Sequence, residues 1–337
     1  MGQAAHLRNY VTLPDCRVVA LAEKRPQLAA EVARRFGVER VYNGHEALLA
    51  NEEVDGIVAI QQFETHVRLV PELLTKGVPV LTEKPLASTV AEGEAILAAV
   101  HGCSTRLYLA YHKRCDPAIQ YAKGKMAGWD DSGEVGALRY IRITMPPGDW
   151  SMQAFASNVT TSETYETGAA PGGWNEYGVF VNYYIHQVNL FRFLFDEDYQ
   201  VLYADPAGIT MTVRSASGVM GVLEMAPFHT SLDWQESVLI GYEKGWIRVE
   251  LPAPLAIDRP GSVSVYQEGP GGPTTVIPTL QPWHGMRKQA SHFLSALRGE
   301  PNSLCKAEDG LKDLVTARQY LAKRQETQAS FGIGKNG

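Results

Sequence analysis

Between residues 17 and 111, short apolar runs alternate with longer amphipathic ones, and this alternation constrains the fold more than any other feature of the chain. The apolar runs lie at 17–22, 54–60, 78–81 and 107–111. They are too short for helices, and such apolar runs suit strands buried on both faces. The intervening segments carry their apolar residues on one helical face. Leu28, Val32 and Phe36 mark 26–36, with Pro26 at its start and Gly37 just past its end. Val67, Val70, Leu73 and Leu74 mark 63–76, closed by Gly77, and 89–100 is rich in Ala and Leu. Strands separated by helices pair in parallel, because a parallel pair needs a long crossover connection. Residues 1–111 are therefore predicted to form an α/β domain, a parallel sheet with helices on both sides.

After Tyr111 the rhythm changes. Asp116-Pro117 reads as the N-cap and first-turn proline of a helix running to about residue 127. Residues 136–145 alternate as a strand does. Residues 146–173 are irregular and rich in Ser, Thr and Gly, and a loop that long is functional or mobile. A strongly apolar helix is predicted at 180–195. Between 200 and 277, several strands are separated by Gly, Pro and Ser turns with no helix between them, which predicts an antiparallel sheet. Helices near 285–298 and 307–325 finish the chain. The expected second domain, 112–337, is thus α+β with a mostly antiparallel open sheet, its last helices packing back on the first domain.

Composition narrows the function classes. The 337 residues carry a formal net charge of −6 with acids and bases intermixed, so no run of like charge points to nucleic acid or a membrane surface. No stretch approaches the ~18 apolar residues of a membrane span, and no basic-then-apolar segment reads as a signal peptide, so a cytoplasmic protein is expected. Cys16, Cys103, Cys115 and Cys305 are far apart and have neither metal-ligand nor redox spacing. Reduced thiols and no metal site are expected.

Three stretches bear chemistry. Glu23 ends the strand at 17–22, about 20 residues after Gly2, the spacing at which a dinucleotide-binding acid follows its glycine turn. The plain alternative is an ordinary helix start followed by an exposed Glu. In GVPVLTEKPLAST, Lys84 lies just past a buried strand, at the carboxyl edge where open α/β sheets bind ligands. Pro85 biases it toward extended geometry. An ammonium held there can polarise a carbonyl or stabilise an alkoxide, and the alternative is a solvated turn. In GVFVNYYIHQVNLFRF, Asn182 and His186 are one helical turn apart and would face the same way. His186 is suited to take a proton near neutral pH, or is a structural histidine amid Tyr183, Tyr184 and Phe191.

Together these stretches resemble the glucose–fructose oxidoreductase / inositol dehydrogenase / MocA family, over nearly the whole chain. VLTEKPLA and the later Asn-x-x-x-His are similar to the family's Glu-Lys-Pro turn and its downstream Asp/Asn-x-x-x-His helix. DGIVAIQQFETH is similar to its strand and following loop; His66 matches, while Gln61-Gln62-Phe63 stands where the family has Thr-Pro-Asn. LAYHKRCDP is similar to Gly-[Phe/Tyr]-x-Arg-Arg-[Phe/Tyr]-x-Pro, with Lys113-Arg114 at the basic pair, and RVVALAEKR to the second strand with its acid, Glu23.

The resemblance implies a Rossmann domain followed by a large, mostly antiparallel sheet. It also implies hydride transfer between NAD or NADP and a hydroxyl-bearing carbon of a sugar, cyclitol or derivative. Carried over residue by residue, the catalytic positions are Lys84, His186 and Asn182. His186 would be the base and Lys84 would stabilise negative charge on oxygen, with Lys84 as proton acceptor the competing assignment. Asn182 cannot ionise, but it can orient the imidazole or the substrate by hydrogen bonds. The cofactor positions are Gly2, Glu23, Gln61, His66, Glu83, Lys84 and Lys113. Glu23 favours NAD because a carboxylate repels a 2′-phosphate, while Lys24 and Arg25 keep NADP open. Trp150, Trp174, Tyr177 and Trp283 either stack on a sugar face or pack in the core. The family's sheet implies a homo-oligomer. The same residues would serve a lyase or glycosidase that uses NAD transiently, and Asn182 leaves open a non-catalytic ligand-binding relative. The family pattern also places a central strand and most of a glycine turn before Gly2. Its loss would open a gap of about two ~4.8 Å strand spacings, so a start upstream of Met1 is expected.

Overall fold

The structure, a computed structural model, describes residues 1–164, 175–228, 230 and 233–332. It divides into two compact units. The first comprises Met1–His112, Gln153–Asn182 and Met286–Leu314, and the second Lys113–Met152, Tyr183–Gly285 and Val315–Gly337. The first unit is therefore drawn from three stretches of chain rather than from one.

The first unit opens on a wide helical turn, Gly2–Leu7, continued by Arg8–Tyr10. Five short strands follow: β1 (Ala20–Ala22), β2 (Arg40–Tyr42), β3 (Ile57–Ala59), β4 (Val80–Thr82) and β5 (Leu107–Leu109). Helices Pro26–Phe36, His45–Asn51, His66–Leu74 and Val90–His101 connect them. All pairings among these strands are parallel: β1 with β2, β3 with β4, and β4 with β5. Cys305–Lys306 adds an antiparallel edge to β5. No ladder joins β1 to β3 among the described residues, so the parallel strands form two separate sheets. β4 and β5 are buried throughout, which is what their unbroken apolar runs require. The stop signal at Gly37 acts as expected. Gly37 stops its helix in the left-handed conformation, at φ 68°. Thr89 and Glu92 form a reciprocal capping box at the start of Val90–His101.

The second unit is built on one sheet of eight strands. They are β6 (Leu138–Thr144), β7 (Tyr199–Ala204), β8 (Thr210–Ser215), β9 (Met220–Glu224), β10 (Ser237–Tyr242), β11 (Gly245–Glu250), β12 (Ser262–Gln267) and β13 (Thr274–Val276). Their order is β13-β12-β11-β10-β6-β9-β8-β7, antiparallel except for the β6–β9 pair. Burial alternates along the strands, with Ile141, Ile143, Val238, Ile240, Ile247 and Val249 fully buried on one face. Two helices cover that face. Trp129, on Pro117–Ser132, packs edge-on against Tyr242 and donates its indole N–H to Gln267. Phe191 and Phe195, on Ile185–Phe195, close over Gly221 of β9. Asp116 caps Pro117–Ser132 as predicted, and that helix runs past residue 127 to Gly133, where φ is 65°.

The single helix predicted at 180–195 is two helices, Glu176–Tyr183 and Ile185–Phe195, interrupted at Tyr184. Asn182 and His186 therefore do not share one helical face. No helix among the described residues is long and apolar enough to cross a membrane, and none of the four cysteines forms a disulfide.

Candidate functional site

In the first unit, the candidate chemistry gathers at the carboxyl end of β4, where the buried strand gives way to Glu83, Lys84 and a cis Lys84–Pro85 peptide. Two histidines fix this turn. His66 is 0% exposed. Its Nδ1 lies 3.1 Å from the Leu86 carbonyl and its Nε2 3.2 Å from the Thr82 hydroxyl. A carbonyl only accepts, so Nδ1 carries the proton, while the single Thr82 hydroxyl proton is shared between Nε2 and the Ala59 carbonyl, 3.1 Å away. Burial pushes the His66 pKa down, against the Leu86 carbonyl and the Glu83 charge, which keeps the ring neutral. His66, expected at the cofactor, is thus engaged by protein at both nitrogens, and it holds the segment carrying Lys84. Glu83 is buried as well. It faces His6 Nε2 at 2.6 Å and accepts from the Lys84 amide at 3.2 Å. Burial alone would raise its pKa, but the His6 hydrogen bond and the charges of His6 and Lys84 bring it below the ordinary value. His6 ties the opening helix to the turn through this carboxylate.

Lys84 and Asn182 meet, though not through the Asn side chain. Lys84 Nζ donates to the Asn182 main-chain oxygen at 2.6 Å. The break at Tyr184 explains the contact: Asn182 lies in the last turn of Glu176–Tyr183, where carbonyls lack an intrahelical partner and the helix dipole is negative. A cation is the natural partner there. His186 belongs to the second unit and is half-buried on the first turn of Ile185–Phe195.

At the end of β1, Glu23 is clasped by Arg25, which donates Nε at 2.9 Å, Nη2 at 2.8 Å and its own amide at 3.1 Å. Burial opposes ionisation of Glu23, but these bonds and the guanidinium charge bring its pKa below the ordinary value. A Cβ built on Gly2 meets no atom within 4 Å, so close packing does not require glycine there. Gln61 is exposed two residues past β3.

The second unit holds a buried ionic cluster that sequence reasoning missed. Glu236, 2% exposed, pairs with Lys113, 5% exposed. It also accepts from Gln187 Nε2 at 2.7 Å and from the Trp234 indole at 3.3 Å. Lys113 Nζ lies 5.5 Å from the Trp234 ring centre and 3.8 Å from Met145 Sδ. Burial pulls the Lys113 pKa below its ordinary value, against the Glu236 charge and hydrogen bond. Lys113, expected at the cofactor, is thus committed to Glu236. Gln187 follows His186 directly, so Glu236 anchors the turn that carries the imidazole. The available signal was Glu236 itself, an acid opening the apolar run SVLIGY, since a buried charge demands a partner. Of the aromatic candidates, Trp150 and Trp283 lie in the second unit and Tyr177 in the first, all part-buried, while Trp174 lies outside the described residues.

Residues 1–111 match the profile of the oxidoreductase family with NAD-binding Rossmann fold, GFO_IDH_MocA. The match covers the first third of the chain. Among curated relatives, scyllo-inositol 2-dehydrogenase (NAD(+)) of Bacillus subtilis strain 168 is 23% identical over 192 residues, 56% of this chain and 49% of that one. D-apiose dehydrogenase of Paraburkholderia graminis is 25% identical over 345 residues, 95% of this chain and 84% of that one. The chain thus spans about half the length of the first relative and most of the second. In fold it is similar to an oxidoreductase from Agrobacterium radiobacter solved in complex with NAD+, L-tartaric acid and magnesium. The TM-score is 0.70 at 16% identity, covering 96% of this chain and 93% of that one.

Proposed function

We propose that this chain is a member of that family and an NAD-dependent dehydrogenase that oxidises a secondary hydroxyl of a sugar or cyclitol. The observation that carries the reading is Lys84 at the carboxyl end of β4, its ammonium held at 2.6 Å by the Asn182 carbonyl. The donor set suits a nicotinamide dinucleotide at its two ends, with the Glu23 carboxylate for the ribose hydroxyls and the Lys84 charge at the reacting end. The Glu23–Arg25 clasp favours NAD, because it occupies the guanidinium that would otherwise meet a 2′-phosphate. When bound, the nicotinamide supplies hydride acceptance. Lys84 stabilises the negative charge that develops on the substrate oxygen as the proton leaves. His186 is the base that takes that proton, an assignment resting on the family resemblance, with Lys84 the competing acceptor. The names of the relatives, inositol and apiose dehydrogenases, support a polyol or sugar substrate. The chain is read as a cytoplasmic homo-oligomer associating through the sheet β6–β13.

A spectrophotometric screen of inositols, pentoses and hexoses, with NAD and NADP in parallel, tests the reading. One substrate should yield NADH in proportion to product. Lys84→Met should lower kcat by about 10²–10³, the cost of removing a charge-stabilising donor. No reduction of either cofactor with any polyol, or Lys84→Met at full activity, refutes it. If His186 is the base, His186→Ala abolishes the acidic limb of the pH–rate profile, whereas Lys84→Met leaves it.

A further inference from the structure

The helix Pro26–Phe36 starts where the adenosine end of a dinucleotide is recognised, three residues past Glu23. Its N-cap, Arg25, supplies no side-chain cap. The first amides are satisfied instead by a residue remote in sequence. Glu163 accepts from the Gln27 amide through Oε1 at 3.0 Å and from the Leu28 amide through Oε2 at 2.8 Å. Thr161 donates its hydroxyl to the same carboxylate at 3.2 Å. The segment bearing Glu163 is pinned along the unit. Gln3 and the Val159 backbone exchange two hydrogen bonds, at 3.0 and 2.9 Å, and Arg35 donates to the Ser157 carbonyl. These contacts all lie within the first unit. Desolvation works against the charge on Glu163, but the Gln27 and Leu28 amides, Thr161 and the Arg25 charge bring its pKa below the ordinary value. It is an anion at the positive end of the helix dipole.

The charge balance here bears on the choice of cofactor. Two carboxylates, Glu23 and Glu163, feel the charge of one guanidinium, Arg25, which Glu23 already holds on two nitrogens. A 2′-phosphate brought beside Glu23 would add up to two negative charges at a position whose helix amides are already taken. The cost falls on NADP and spares NAD, whose ribose hydroxyls donate to Glu23.

We propose that Glu163 is a cofactor-specificity residue, an internal carboxylate that occupies the start of helix Pro26–Phe36 and so excludes the 2′-phosphate of NADP. The proposal rests on the dinucleotide reading above and deepens it, since the discriminating charge comes from outside the sequence segment that carries the fingerprint. Selectivity of this kind works by repelling the wrong ligand rather than by adding contacts to the right one.

The test is calorimetric titration of NAD+ and NADP+ against the wild-type chain, Glu163→Gln and Glu163→Ala. Amide exchange of Gln27 and Leu28 is followed without ligand. The wild type should prefer NAD+. Both variants should shift the ratio of affinities toward NADP+ by about tenfold or more, as expected for loss of one close like charge. Exchange at Gln27 and Leu28 should quicken in Glu163→Ala. An affinity ratio unmoved within about twofold in folded variants overturns the proposal and leaves the dinucleotide reading standing. Unchanged protection of the two amides does the same. A wild-type chain that binds neither nucleotide overturns both.

Discussion

Replacing Glu236 by Gln removes one negative charge from the interior of the second unit while keeping the shape of the side chain and one acceptor oxygen. Lys113, 5% exposed, then faces a neutral amide. Breaking a buried ion pair on one side costs about 3–5 kcal/mol. An independent ceiling comes from the lysine, which escapes by losing its proton. From an ordinary pKa of 10.5, deprotonation at pH 7 costs about 5 kcal/mol at ~1.36 kcal/mol per unit. That is a large fraction of a typical domain's stability of about 5–15 kcal/mol. Urea unfolding followed by circular dichroism should show a loss of about 3–5 kcal/mol for Glu236→Gln at pH 7. Adding Lys113→Met should return most of it, because two neutral partners leave no charge stranded. The variant should also recover as pH rises. The folded-state pKa of Lys113 is depressed below 10.5, so the folded chain binds fewer protons than the unfolded chain in the window below 10.5. Stability therefore climbs with pH there, by up to ~1.36 kcal/mol per unit, and more steeply in Glu236→Gln than in the wild type. A loss under about 1 kcal/mol, with no pH dependence and no rescue by the double variant, would show that the cluster is not a tight buried pair.

Asp116 makes a second, opposite pH prediction. Burial lifts its pKa to about 6, with nearby Glu236 adding to the rise, against the Ala118 and Gly261 amides and the Lys113 charge. A raised acid pKa means that stability is complete below about pH 4 and falls as pH climbs through 6, by about 3 kcal/mol over two units. Asp116→Asn keeps the cap and should flatten that fall when the denaturation midpoint is measured from pH 4 to 8; an unchanged slope refutes the assignment. Gly261→Ala should cost about 1–3 kcal/mol and lower the melting temperature. Its Cβ would lie 2.8 Å from Ala118 Cβ and 2.9 Å from both Asp116 Oδ1 and the Glu250 carbonyl. An unshifted melting curve would contradict this packing.

Legibility in the sequence followed the range of the forces involved. Apolar runs and end signals gave β3, β4 and β5, the cap at Asp116, the stop at Gly37 and the antiparallel character of the second sheet, because each depends on neighbours in the chain. β2 and the helix His45–Asn51 escaped, since Arg40-Val41-Tyr42 is short and exposed and the helix buries no residue. The break at Tyr184 carries no Gly or Pro to announce it. For the site, the position of Lys84 just past a buried strand was legible, but its bond to the Asn182 main-chain oxygen had no mark in the sequence. The long-range partners had no local mark. Glu163 reaches Leu28 across most of the first unit's length in sequence, and Glu236 reaches Lys113 across most of the second's. The buried role of His66 was also hidden, because its match to a family position said nothing about which groups would claim its nitrogens.

The hold on Lys84 runs through a peptide oxygen, which every amino acid possesses. Position 182 can therefore exchange Asn for Asp or Ala in the course of evolution without loosening the ammonium. What fixes the acceptor is the place where the helix Glu176–Tyr183 ends, so a substitution that moved that end would release the lysine even with Asn182 untouched.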